Sequence, residues 1–164
     1  MWHWPPWGGR GHCRWTVYAR PDEGRRTERR NVAETRGPRA PQIRVLIVDN
    51  DPHARGATIA ALRDKGYHVA GAEDGLQALQ QLQRAQFQVV VTNIQMPRMD
   101  GVALLREIRR HGYPLSVVVQ TTLLDAALQE VLHRAGAAGV IMKGEPMAAL
   151  ARAIEEAARA ASAP

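Results

Sequence analysis

From Ile43 onward, short apolar runs and segments of helical period take strict turns, and this alternation constrains the fold more than any other feature of the chain. The apolar runs cover 43–49, 67–71, 87–93, 115–121 and 138–143, and the helical segments cover 52–65, 74–84, 100–111, 124–135 and 146–160. Five strands alternating with five helices call for a parallel sheet with helices packed on both faces. The first, third and fourth runs are almost entirely valine, leucine and isoleucine, the texture of strands buried on both sides. Punctuation agrees with these boundaries. Pro52 suits a first helical position behind Asp51 as cap, Asp100 can cap the third helix, and Gly66 and Gly112 follow helix ends. A stretch of about 120 residues in this pattern makes one three-layer, doubly wound α/β domain, here 42–164.

Residues 1–41 have a different texture. They hold all four tryptophans (Trp2, Trp4, Trp7, Trp15) and nine arginines against four acidic residues. Proline, glycine and dense like charge leave too little apolar surface to offset ordering entropy, so a disordered basic leader is expected there. The overall charge of +6 therefore belongs mostly to the leader, because the remainder sets 13 basic residues against 12 acidic ones. That balance argues against a nucleic-acid surface on the body and leaves only weak contact through the leader. No apolar run approaches the roughly 18 residues of a membrane span. One cysteine, Cys13, excludes an internal disulfide framework and fits a reducing, cytoplasmic setting.

In open parallel sheets, ligands sit beyond the carboxyl ends of the strands. Polar residues gather at those ends: Asp49-Asn50-Asp51 after the first strand, Thr92-Asn93 after the third, Thr121-Thr122 after the fourth and Lys143 after the fifth. His53, His68, His111 and His133 are scattered without metal-ligand spacing, and no Ser–His–Asp or Cys–His arrangement is legible, so no enzyme is expected.

Residues 43–160 resemble the receiver domain of bacterial two-component response regulators. The resemblance rests on IRVLIVDNDP (43–52), EDGLQALQQL (73–82), VVVTNIQMPRMDG (89–101), the Thr121-Thr122 pair and AGAAGVIMKG (135–144). It implies a flavodoxin-like sheet of order 2-1-3-4-5. It also implies phosphoryl transfer from a histidine kinase to an aspartate ending the third strand, with Mg²⁺ held there by acids that follow the first. By position, Asn93 is the phosphoacceptor equivalent, and Asp49 and Asn50 are the paired-acid equivalents. Thr121 is the switch hydroxyl, Val140 stands at its usual aromatic relay partner, and Lys143 is the phosphate-sensing lysine.

Two departures carry chemical weight. A carboxamide oxygen is neutral, so Asn93 cannot form the acyl phosphate by the family's route. Mg²⁺ favours carboxylate oxygens, and with asparagine at both 50 and 93 its binding is expected to be weak or absent, through Asp49 and Asp51 at most. Without metal, Lys143 is expected to bond Asp49 or the Asn93 amide oxygen. Gly144 stands where the family usually carries proline, which predicts a more flexible loop.

The sequence thus reads as a stand-alone pseudo-receiver. It stops just after the fifth helix with no output domain, and it acts as a phosphorylation-independent interaction module. Partners would be signalling proteins, a histidine kinase or another regulator, on the face of the fourth helix, fifth strand and fifth helix. Homodimerisation through that face stays open. The alternative is a receiver still phosphorylated on Asp49 or Asp51, although Asp51 before Pro52 also suits a plain helix cap. A flavin- or nucleotide-binding relative shares the fold but needs a phosphate-cradling turn that DNDPHARG lacks.

Overall fold

The computed structural model describes residues 43–161; the leader expected over 1–41 lies outside them. The elements follow in the order β1 (Arg44–Val48), α1 (Pro52–Asp64), β2 (His68–Ala72), α2 (Gly75–Arg84), β3 (Val89–Asn93), α3 (Gly101–Arg110), β4 (Ser116–Thr121), α4 (Ala126–Arg134), β5 (Gly139–Met142) and α5 (Met147–Ala161). All strands pair in parallel, in the order β2-β1-β3-β4-β5. This is the doubly wound flavodoxin-like arrangement that the alternation and the resemblance imply.

Two cores flank the sheet because strand side chains alternate between its faces. Leu46, Val48, Val90, Val117 and Val119 pack with Leu82 of α2, Leu104, Leu105 and Ile108 of α3, and Leu132 of α4. Val45, Ile47, Val89, Val91 and Val118 pack with Leu62 of α1 and with Leu150, Ile154 and Ala157 of α5. Each fully buried aliphatic side chain contributes about 1.5–3 kcal/mol of burial free energy.

The observed ends differ from the sequence expectation by a residue or two. Phe87 and Gln88 belong to the turn before β3, where Gln88 N–H bonds Arg44 O at 2.9 Å and its side-chain oxygen accepts from Arg44 N–H. Tyr67 N–H still bonds Leu62 O, which finishes α1 and delays β2 to His68. Four helices begin behind an aspartate cap: Asp51, Asp74, Asp100 and Asp125. Gly66 and Gly112 follow helix ends with φ of +93° and +66°, a left-handed conformation that glycine adopts without the cost a Cβ brings.

Candidate functional site

Strand register assembles the site. Val48 pairs with Thr92 across β1 and β3, so the next residues, Asp49 and Asn93, leave the sheet side by side. Asn93 pairs with Gln120 and Thr121 with Met142, which brings Thr121 and Lys143 to the same edge. Lys143 N–H bonds Thr121 O at 2.7 Å.

Asp49 is the charged centre and is only 5% exposed. Its Oδ2 accepts a hydrogen bond from Lys143 Nζ at 2.8 Å. Its Oδ1 accepts from Asp51 N–H at 3.1 Å and from Asn93 Nδ2 at 3.5 Å. Of the two partners expected for Lys143, the structure records Asp49. The Asn93 amide nitrogen also donates to Asn50 Oδ1 and to Gln95 O, both at 3.1 Å. Asp49 and the Gln95 carbonyl are acceptors only, and this fixes which end of the amide faces them. The Asn93 side chain thus turns N–H donors toward oxygens.

Asp51 caps α1, accepting from His53 N–H at 2.8 Å and from Ala54 N–H at 3.3 Å. The His53 amide, and then the Ala54 amide, hold its carboxyl below the usual carboxylate range. Thr121 Oγ1 donates to Leu123 O at 2.8 Å and accepts from Leu123 N–H, so the hydroxyl closes a local turn. Val140 is 2% exposed and packs into the core beside α4. Gly144 has φ +94°, a value that the fixed φ of proline near −65° forbids. The β5–α5 loop therefore takes a path that proline in that position could not follow.

Several neighbours were not singled out in the sequence. Arg55 of α1 reaches back so that its Nη1 donates to Asp49 O. Gly101 opens α3 against the end of β3: a Cβ there would lie 2.1 Å from Asn93 O. Arg98, the one non-glycine residue with positive φ (63°) among the described residues, pairs with Glu73 and with the fully buried Asp74. That pairing ties the β3–α3 loop to the start of α2. Gly101 lies in a motif already quoted, but nothing linear in DNDPHARG indicates that Arg55 turns back. Beside the polar cluster, Asn50, Ile94, Met96, Pro97 and Val102 line an open cleft of about 490 Å³.

Among the described residues, no three His, Cys, Asp or Glu side chains form a metal-holding group. No helix among them is long and apolar enough to cross a membrane.

Residues 45–155 match the response regulator receiver domain family. The chain belongs to this family. It is similar to the gliding motility regulatory protein of Myxococcus xanthus, 32% identical over 124 residues that cover 74% of this chain and 16% of that protein. It is also similar to protein-glutamate methylesterase/protein-glutamine glutaminase 4 of M. xanthus, 37% identical over 105 residues, 62% of this chain and 30% of that one. The chain thus spans well under half the length of these relatives. Among solved structures it is similar to the chemotaxis protein CheY4 of Vibrio cholerae, with TM-score 0.68 and 27% identity over 71% of this chain and 99% of that one. A second similar structure is FixJ-N, with TM-score 0.68 and 27% identity over 73% of this chain and 96% of that chain. Receiver domains are signalling modules of two-component systems, and they engage other signalling proteins.

Proposed function

We propose that this chain is a receiver that works without phosphoryl transfer to Asn93, as a cytoplasmic protein-interaction module whose pocket is closed by its own side chains. One observation carries the reading: the Asn93 amide nitrogen donates to Asn50, Gln95 and Asp49 while Lys143 neutralises Asp49. In a phosphorylatable pocket this space faces a divalent cation. Here such a cation would meet amide N–H groups and a carboxylate already paired with an ammonium. Mg²⁺ is a hard ion that demands near-octahedral oxygen ligation, and this donor set does not fit it. No step of the proposed function runs through a metal.

Phosphorylation on Asp49 or Asp51 is disfavoured by the same geometry. Asp49 is buried with both oxygens accepting hydrogen bonds, and Asp51 is committed to its helix. The partner surface we assign to the module is the α4–β5–α5 face, the face through which a second copy would also dock. Supporting it, Leu123 is 70% exposed and Val131 41% exposed on the α4 side, large apolar side chains without cover among the described residues.

Intact-mass measurement after incubation with acetyl phosphate and Mg²⁺ tests the reading. The expected result is no gain of phosphoryl mass. A phosphoryl group mapped to Asp49, Asp51 or Asn93 would overturn it.

A further inference from the structure

The sheet ends on β2, whose outer side has no neighbouring strand. His68 N–H bonds Ile43 O, and Ala72 O accepts from Asp49 N–H, so His68, Ala70 and Ala72 turn their main-chain groups toward β1. Val69 and Gly71 alternate with them and turn theirs outward. An open strand edge of this kind is a template for pairing with another chain.

Here the edge is covered by side chains from both flanking helices. Arg63 of α1 donates through Nη2 to Val69 O at 2.8 Å, and Gln81 of α2 donates through Nε2 to Gly71 O at 2.6 Å. Gln77 Oε1 accepts from the next outward amide, Glu73 N–H, at 2.7 Å. A base in the last turn of α1 also suits the helix dipole. The dipole gives no reason for two glutamines one turn apart on α2, both bonded to the main chain along a single strand edge. The cover is made of single, reversible hydrogen bonds, and the outward N–H groups of Val69 and Gly71 have no strand beside them.

We propose that the outer edge of β2 is a strand-pairing surface for a second copy of this chain, gated by Arg63 and Gln81. The occupant follows from the symmetry of the edge. The outward residues Val69 and Gly71 flank Ala70, so a two-fold axis at Ala70 sets two antiparallel copies in register. Val69 of each copy then exchanges N–H···O=C bonds with Gly71 of the other, while Ala70 faces its own counterpart. Charge agrees with the antiparallel sense. It brings the exposed Lys65 and His68, at the amino end of β2, toward the exposed Glu73 of the other copy. Side-chain bulk is low as well: Ala70 and Gly71 occupy the centre of the edge, and the middle of α1 exposes Gly56, Ala57 and Ala60. Each gate bond is replaced by a main-chain bond of similar strength, so opening lies near balance. The short edge buries little area, which makes the pair weak and dependent on concentration. The surface lies across the sheet from β5, so it is separate from the α4–β5–α5 face and from the chemistry at Asn93.

The test is sedimentation equilibrium of the full chain from micromolar to millimolar concentration, with amide hydrogen exchange measured at both ends of that range. Two double variants are compared with the parent. Arg63→Ala/Gln81→Ala frees both outward carbonyls, and Gln80→Ala/Arg84→Ala removes the same side-chain types from exposed positions of α2. Thermal unfolding checks that both remain folded. The single variants Arg63→Ala and Gln81→Ala each free one carbonyl and carry the test if the double variant does not fold. The gate variant is expected to dimerise at least about tenfold more tightly than the parent, as each freed carbonyl no longer trades one hydrogen bond for another. Its Val69 and Gly71 amides are expected to exchange more slowly as concentration rises. The single variants are expected to fall between gate variant and parent, and the control to match the parent. A gate variant that dimerises no more tightly than the parent would overturn the proposal. So would equal tightening in the control, or concentration-dependent protection confined to α4 and α5.

Discussion

Lys143 stands to Asp49 as the counter-charge that makes a nearly buried carboxylate tolerable. Removing one partner of such a pair strands the other in a poorly solvated site. Lys143 keeps 27% of its side chain exposed, so the penalty falls below that of a fully buried pair. Lys143→Ala is expected to lower unfolding free energy by about 2 kcal/mol in urea titration. A loss under a few tenths would mean the pair does not hold the site. Arg98 offers a second residue-scale check, because it joins a left-handed backbone to an ion pair. Both Arg98→Ala and Arg98→Gly lose the pair, but only alanine retains the left-handed cost of about 1 kcal/mol. The glycine variant is therefore expected to be the more stable of the two by that amount in the same titration. Equal stabilities would remove the strain from the account.

Among the elements, α4 and α5 are attached very differently, although both border β5. The α5 helix buries Leu150, Ala151, Ala153, Ile154, Ala157 and Ala158, whereas α4 buries Leu132 alone. Free energies of local opening follow buried apolar contact. Amide hydrogen exchange is expected to be at least about tenfold faster across α4 than across the middle of α5. Matched rates would contradict a loosely held partner face. The alternation of apolar runs made these elements legible in the sequence, since period two and period 3.6 are printed directly in the residues. Ends such as Phe87-Gln88 were less legible, because a turn that hydrogen-bonds to Arg44 looks like strand until β1 is in place. In the site, Asp49, Asn93, Thr121 and Lys143 could be located from strand ends alone. Arg55 and the Gln95 carbonyl could not, as their roles depend on a guanidinium turning back and a loop folding over Asn93.

On the scale of the whole molecule, the account makes stability independent of divalent metal. Asn50→Asp with Asn93→Asp would place two further carboxylates beside Asp49, against Lys143 alone among the ion pairs formed there. Like charges this close are unfavourable without a counter-ion. The double variant is expected to lose about 2 kcal/mol in chelator and to regain stability with Mg²⁺ by mass action, seen as a Mg²⁺-dependent Tm. The parent chain should show no such dependence, and a parent Tm that rises with Mg²⁺ would count against the closed pocket. The most direct test is a nuclear magnetic resonance titration of the parent protein with millimolar Mg²⁺, observing the Asn93 side-chain amide and the Lys143 backbone amide. The account predicts that both signals stay in place. A saturable shift at the two together would show that a cation displaces Lys143 from Asp49, contradicting a pocket held shut by its own side chains.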